Sequence, residues 1–86
     1  MIRSFRNQGT EDVFNGPPDV VRVARRKLGM IDAAVTLRDL RSPPNNKLEK
    51  LKEDREGQHA IRINEKYRVC FVWEDGADDV EVTDYH

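Results

Sequence analysis

Cysteine is nearly missing from this chain: Cys70 is the only one in 86 residues. That excludes an internal disulfide and fits a reducing compartment such as the cytoplasm. Set within "RVCFVW", the lone thiol reads as a small buried hydrophobe. Long apolar runs are absent too. No stretch approaches the ~20 residues that a membrane span needs, and "MIRSFRNQGT" carries no signal-peptide core. Histidine occurs only at His59 and His86, and with one cysteine these make no zinc-ligand spacing. Neither a GxGxxG nor a P-loop sequence is present, so no nucleotide cofactor is signalled, and none is expected. Repeats and low-complexity tracts are lacking as well.

One further absence is local. Residues 74–86 contain no Lys or Arg and hold six acids, Glu74, Asp75, Asp78, Asp79, Glu81 and Asp84. The net charge of −1 therefore divides into +5 over residues 1–73 and −6 over the remainder. A surface that binds polyanions is compatible with the larger part, and so is a small domain whose charges only solvate it. Hydrophobic residues at 37% against 36% charged describe a polar but globular chain. At 10.0 kDa it is one domain, 1–86, near the lower size for a single unaided core.

What is present reads as helices first and hairpins afterwards. "MIRSF" is short and β-capable. "TEDVF" at 10–14 predicts a short helix, capped by Thr10 with Glu11 and Asp12 at the positive end of its dipole. "GPP" interrupts, and prolines suit a first helical turn. A longer helix is predicted from about Asp19 to Leu37, since Val20, Ala24, Leu28, Ile31 and Val35 recur at three- and four-residue steps. Arg22, Arg25, Arg26 and Lys27 fall mainly off that stripe. "SPPNN" at 42–46 is a turn-rich loop. "KLEKLKEDREG" is ambiguous: its propensities favour a helical turn, and only tertiary pairing would make it a strand.

From residue 60 the period becomes two. "AIRIN", "YRVCFVW" and "VEVTDY" alternate, and the short connections "NEKY" and "EDGADD" predict antiparallel hairpins. The expectation is α+β, with two N-terminal helices covering one face of a small antiparallel sheet. The other face stays open, and alternation puts Arg62 and Arg68 on it when Ile61, Val69 and Phe71 turn to the core.

The side chains outside the predicted core suit phosphate chemistry. Lys52, Arg55, Arg62 and Arg68 are cations able to hold a phosphodiester and stabilise charge developing on it. Tyr85 can donate a hydrogen bond or stack on a base, and His86 can exchange protons near neutral pH. RNA brings its own nucleophile in the 2′-OH, so its cleavage requires a base, an acid and a cationic clamp. Taken as local sequence alone, Asp84-Tyr85-His86 reads as a polar tail sooner than as a site.

"DREGQHAIRINEKYRVCFVW" with "VEVTDYH" after it and "AAVTLRDLRSPPNNKLEKL" before it resembles the HigB-type toxins of the RelE superfamily, across almost the whole chain. The resemblance implies a ribosome-dependent endoribonuclease that cuts mRNA through a 2′,3′-cyclic phosphate, in the cytoplasm. It also implies a HigA-type helix-turn-helix antitoxin as partner, through which alone operator DNA is reached. By position it assigns Lys52, Arg68, Asp84, Tyr85 and His86 to catalysis and makes "LEKL" a strand; Arg55 and Arg62, read from their charge, and Glu49 stand beside them as substrate-binding candidates. Two departures stand out. Glu49 occupies a position where some members carry a histidine, and Asn46 and Glu53 stand where many carry glycine.

Overall fold

The structure is a computed structural model, and it describes residues 1–6 and 16–84. Helix α1 spans Pro18–Ala33. Pro17 precedes it and Pro18 opens it, where a missing N–H costs nothing and a fixed φ suits the first turn. The amides of Val20 and Val21 both donate to the Pro17 carbonyl, and Asp19 lies in the positive first turn. Its buried residues are Ala24, Lys27 and Ile31, one stripe at three- and four-residue steps.

The helix stops four residues before the predicted end at Leu37. Ala34 N–H still donates to the Met30 and Ile31 carbonyls, but the Ala34 backbone is extended. The next two amides, of Val35 and Thr36, donate instead to Asp39 Oδ2 at 2.9 and 3.0 Å. A side chain thus outcompetes the helical carbonyls and starts a 3₁₀ turn over Leu37–Arg41. Val35, assigned by sequence to the apolar stripe, is consequently 82% exposed. A second correction concerns Lys27, which lies on the buried face at 2% exposure and donates to Asn46 Oδ1 in the "SPPNN" loop. Burial, and then Arg26 beside it, lower the Lys27 pKa from its ordinary value. Of the two N-terminal helices expected, α1 is the single α-helix among the described residues. The other, predicted at 10–14, lies outside them.

Four strands follow: β1 (Glu49–Lys50), β2 (Gln58–Arg62), β3 (Tyr67–Trp73) and β4 (Ala77–Asp84). They form an antiparallel meander in the order β1-β2-β3-β4. β1 settles the ambiguous "LEKL" as a two-residue strand, because the β2 edge supplies the pairing that local propensity lacks. Residues 1–6 run parallel to β4 through bridges Ile2–Ala77 and Phe5–Val80. Gly76 makes that approach possible, since a Cβ there would stand 2.9 Å from the Met1 carbonyl oxygen. Between β3 and β4 the register shifts, so that Phe71 faces two residues, Asp79 and Val80, with Asp79 at a φ of 51°.

The main core lies between α1 and the sheet. It includes Ala24, Ile31, Leu40, Ile61, Phe71 and Val80. On the opposite face only a small patch is buried, formed by Leu51, Ala60 and Cys70. Cys70 is therefore the buried hydrophobe expected, and burial raises its thiol pKa above the ordinary range.

Candidate active site

The uncovered face of the sheet carries the cations. β2 and β3 pair Arg62 with Arg68 and Ala60 with Cys70, while β1 sets Glu49 against Ala60. Cross-strand partners share a face, so Glu49, Arg62 and Arg68 surround the Leu51–Ala60–Cys70 patch. The Arg68 side chain is only 17% exposed, and its Nη1 lies 3.7 Å from Glu49 Oε1. That separation and the half-exposed Glu49 make a loose ion pair, of a kind worth about 0–1 kcal/mol.

Lys52, Arg55 and Arg68 line one depression of about 280 Å³, together with Leu51, Glu53 and Asp54. The segment after β1 shapes it. Leu51 N–H donates to the Gln58 carbonyl, and a 3₁₀ turn over Glu53–Arg55 brings Arg55 back over the sheet. Glu53 begins that turn at a φ of 57°. Such a backbone favours glycine, the residue that the resemblance leads one to expect here and at position 46. At the other such position the strain sits one residue on: Asn46 is buried, and Lys47 adopts the left-handed conformation at φ 47°.

Arg55 is fixed from two sides. Its Nη1 donates to Gln58 Oε1 at 3.1 Å and to Glu81 Oε2 at 3.2 Å. Arg6 Nη1 meets the same Glu81 oxygen at 3.5 Å. Glu81 and Gln58 thus position the depression, and sequence reasoning passed over both. The signal was available for Glu81, which alternates with Val80 and Val82 and so turns to the open face.

The other sequence-assigned residues are placed differently. Arg62 lines a neighbouring depression of about 340 Å³ with Lys47, Glu49 and Glu65. Asp84 pairs with Tyr67, whereas Thr83 pairs with Arg68. Alternation therefore puts Asp84 on the Val82 side of the sheet, away from the Arg68 guanidinium. Tyr85 and His86 lie outside the described residues. His59 belongs to the covered side, stacked on Phe71 at 6.3 Å, and burial followed by the Lys50 charge lowers its pKa. Among the described residues no three His, Cys, Asp or Glu side chains stand together as a metal-binding group. No helix of the described residues is long and apolar enough to cross a membrane.

Among the described residues, one helix over a four-stranded antiparallel meander, with cations on the bare face, defines a small protein of RelE-like fold. Solved structures share it. The YoeB–YefM complex from Staphylococcus aureus matches at a TM-score of 0.69 and 23% identity, over all of this chain and 98% of that one. The YoeB dimer from Staphylococcus aureus matches at a TM-score of 0.65 and 21% identity, over 99% and 94%. Those identities speak for the fold alone.

The sequence specifies more. The profile of the HigB-like toxins, described as the RelE-like toxin of type II toxin-antitoxin system HigB, matches residues 3–86. Toxin HigB-1 of Vibrio cholerae is 42% identical over 60 residues, 70% of this chain and 63% of that protein. An uncharacterized protein of Haemophilus influenzae is 41% identical over 58 residues, 67% of this chain and 57% of its own length. The chain thus spans about three fifths of the curated relatives that it matches. It belongs to the HigB-like family, the RelE-like toxins of type II toxin–antitoxin systems.

Proposed function

We propose that the chain is a ribosome-dependent endoribonuclease that cleaves mRNA and so inhibits translation. The observation that carries this reading is the convergence of Lys52, Arg55 and Arg68 on one open depression beside the Glu49 carboxylate. In the reaction the 2′-oxygen attacks the adjacent phosphorus and gives its proton to a base. The bond from phosphorus to the 5′-oxygen breaks, and that oxygen takes a proton from an acid. The products are a 2′,3′-cyclic phosphate and a 5′-OH. RNA supplies the nucleophile, so the scheme runs without a metal or other cofactor.

Arg68 and Lys52 stabilise the charge that grows on the phosphate, and Arg55 adds a third cation held in place by Glu81. Phosphate displaces Glu49 from Arg68 readily, because the loose pair is weak and a bidentate guanidinium–phosphate contact is strong. The released carboxylate stands beside the substrate as base or orienting group. His86 serves as the other proton carrier, Tyr85 orients or stacks on a base, and Asp84 acts through its neighbours. A HigA-type helix-turn-helix antitoxin restrains the toxin in the cytoplasm and carries it to operator DNA.

One observation favours a second reading. The Glu49–Arg68 pair occupies the guanidinium that cleavage would use, which suits a module that occludes the ribosome without cutting. Mapping transcript 5′ ends after brief induction separates the two. New 5′-OH ends within translated codons are expected, and arrested translation with intact mRNA would establish occlusion instead.

A further inference from the structure

A second cationic site lies round the sheet edge from the first. A groove of about 360 Å³ runs between α1 and the end of β2. Its lining includes Arg26 and Lys27 from the helix, Lys47 from the loop, Arg62 from β2, and the amides Asn45 and Asn64. Among the described residues no carboxylate lines it. Elsewhere on the chain Arg3, Arg6, Arg22, Arg55 and Arg68 each face an acid. Among the described residues, Arg26, Lys47 and Arg62 make no ion pair. Lys47 and Arg62 share their other side with Glu49 and Glu65, but within the groove the four like charges favour an anion.

The groove is also continuous with the candidate active site. Arg62 lines both the groove and the depression that contains Glu49, and it is the cross-strand partner of Arg68. Lys47 likewise lines both. An anionic chain held at Arg68 therefore reaches Arg62 and then the groove without leaving the protein surface. The walls are kept in register by the Lys27 ammonium, which donates to Asn46 Oδ1, while Asn46 Nδ2 donates to the Leu40 and Ser42 carbonyls at 3.2 and 3.3 Å.

We propose that this groove is a phosphate subsite for single-stranded RNA, in which Arg26, Lys47 and Arg62 hold backbone phosphates flanking the scissile one. The inference rests on the ribonuclease reading for its substrate class, and it assigns Arg26 and Lys47 a binding role. Arg26 and Lys47 are exposed, so their replacement leaves the core untouched. The full chain is titrated with a fluorescent single-stranded RNA decanucleotide and with a trinucleotide across a range of salt. For Arg26→Ala/Lys47→Ala, decanucleotide binding should weaken roughly tenfold, and the slope of log affinity against log salt should fall by about one per cation removed. Trinucleotide binding should change little.

Equal affinity and slope in the double variant, or no decanucleotide binding by the unaltered chain, overturns the proposal. So does loss of binding to an acidic decapeptide while RNA binding persists, which would make the groove a protein site. Failure of the two readings is separable. A decanucleotide that binds through Arg26 and Lys47 while programmed ribosomes show no mRNA cleavage retains the subsite and removes the ribonuclease.

Discussion

Arg68 projects from β3 into a patch made of Leu51, Ala60 and Cys70, with Glu49 as a loose partner. Its side chain is largely buried there. Arg68→Ala should lower cleavage by ~10²–10³, the usual loss when one charge-stabilising donor is removed. Thermal unfolding of the same variant, run alongside, separates lost chemistry from lost packing of the arginine stem. Lys27 gives a different prediction. Its pKa is lowered in the folded state, so between that value and the ordinary 10.5 the unfolded chain binds more protons. Stability from this group therefore rises with pH across that window. Urea midpoints of the unaltered chain should rise relative to Lys27→Met as pH climbs from neutral towards 10.5. Parallel curves for the two proteins would show that the ammonium is not desolvated.

At the scale of elements, α1 ends where Asp39 takes the amides of Val35 and Thr36. Those hydrogen bonds, Thr36 first and Val35 second, lower the Asp39 pKa. Their contribution is present above the ordinary carboxylate range and is lost as pH falls through the lowered value. Asp39→Ala should melt earlier near neutral pH, and the difference from the unaltered chain should close in acid. The seam between residues 1–6 and β4 depends on Gly76. Gly76→Ala places a methyl against the Met1 carbonyl, and its overpacking should cost about 1–3 kcal/mol in chemical unfolding. Both devices escaped the hydrophobic pattern for one reason. Periodicity records which residues avoid water, while a side chain competing for backbone amides, or a close backbone approach, leaves no trace in it.

For the whole molecule, the sheet was legible because alternation, hairpin spacing and a one-sided core all point to the same meander. "YRVCFVW" coincides with β3 residue for residue. β1 was legible only through the family resemblance, because a two-residue strand is made by its neighbour rather than by its own propensity. Of the candidate site, Lys52, Arg55 and Arg68 do share a depression, as their placement outside the predicted core suggested. Glu81 was passed over because it acts through Arg55, and Asp84 turns to the other side of the sheet. The uneven charge also acquires a location: the acids of β4 hold Arg3, Arg6 and Arg55, and the groove beside α1 has none. The most direct test of the central claim uses purified ribosomes programmed with a defined mRNA and the full chain, with fragment ends identified chemically. The account predicts 2′,3′-cyclic phosphate and 5′-OH ends at a codon in the decoding site, lost in Arg68→Ala. Intact mRNA, or cleavage that survives Arg68→Ala unchanged, would contradict it.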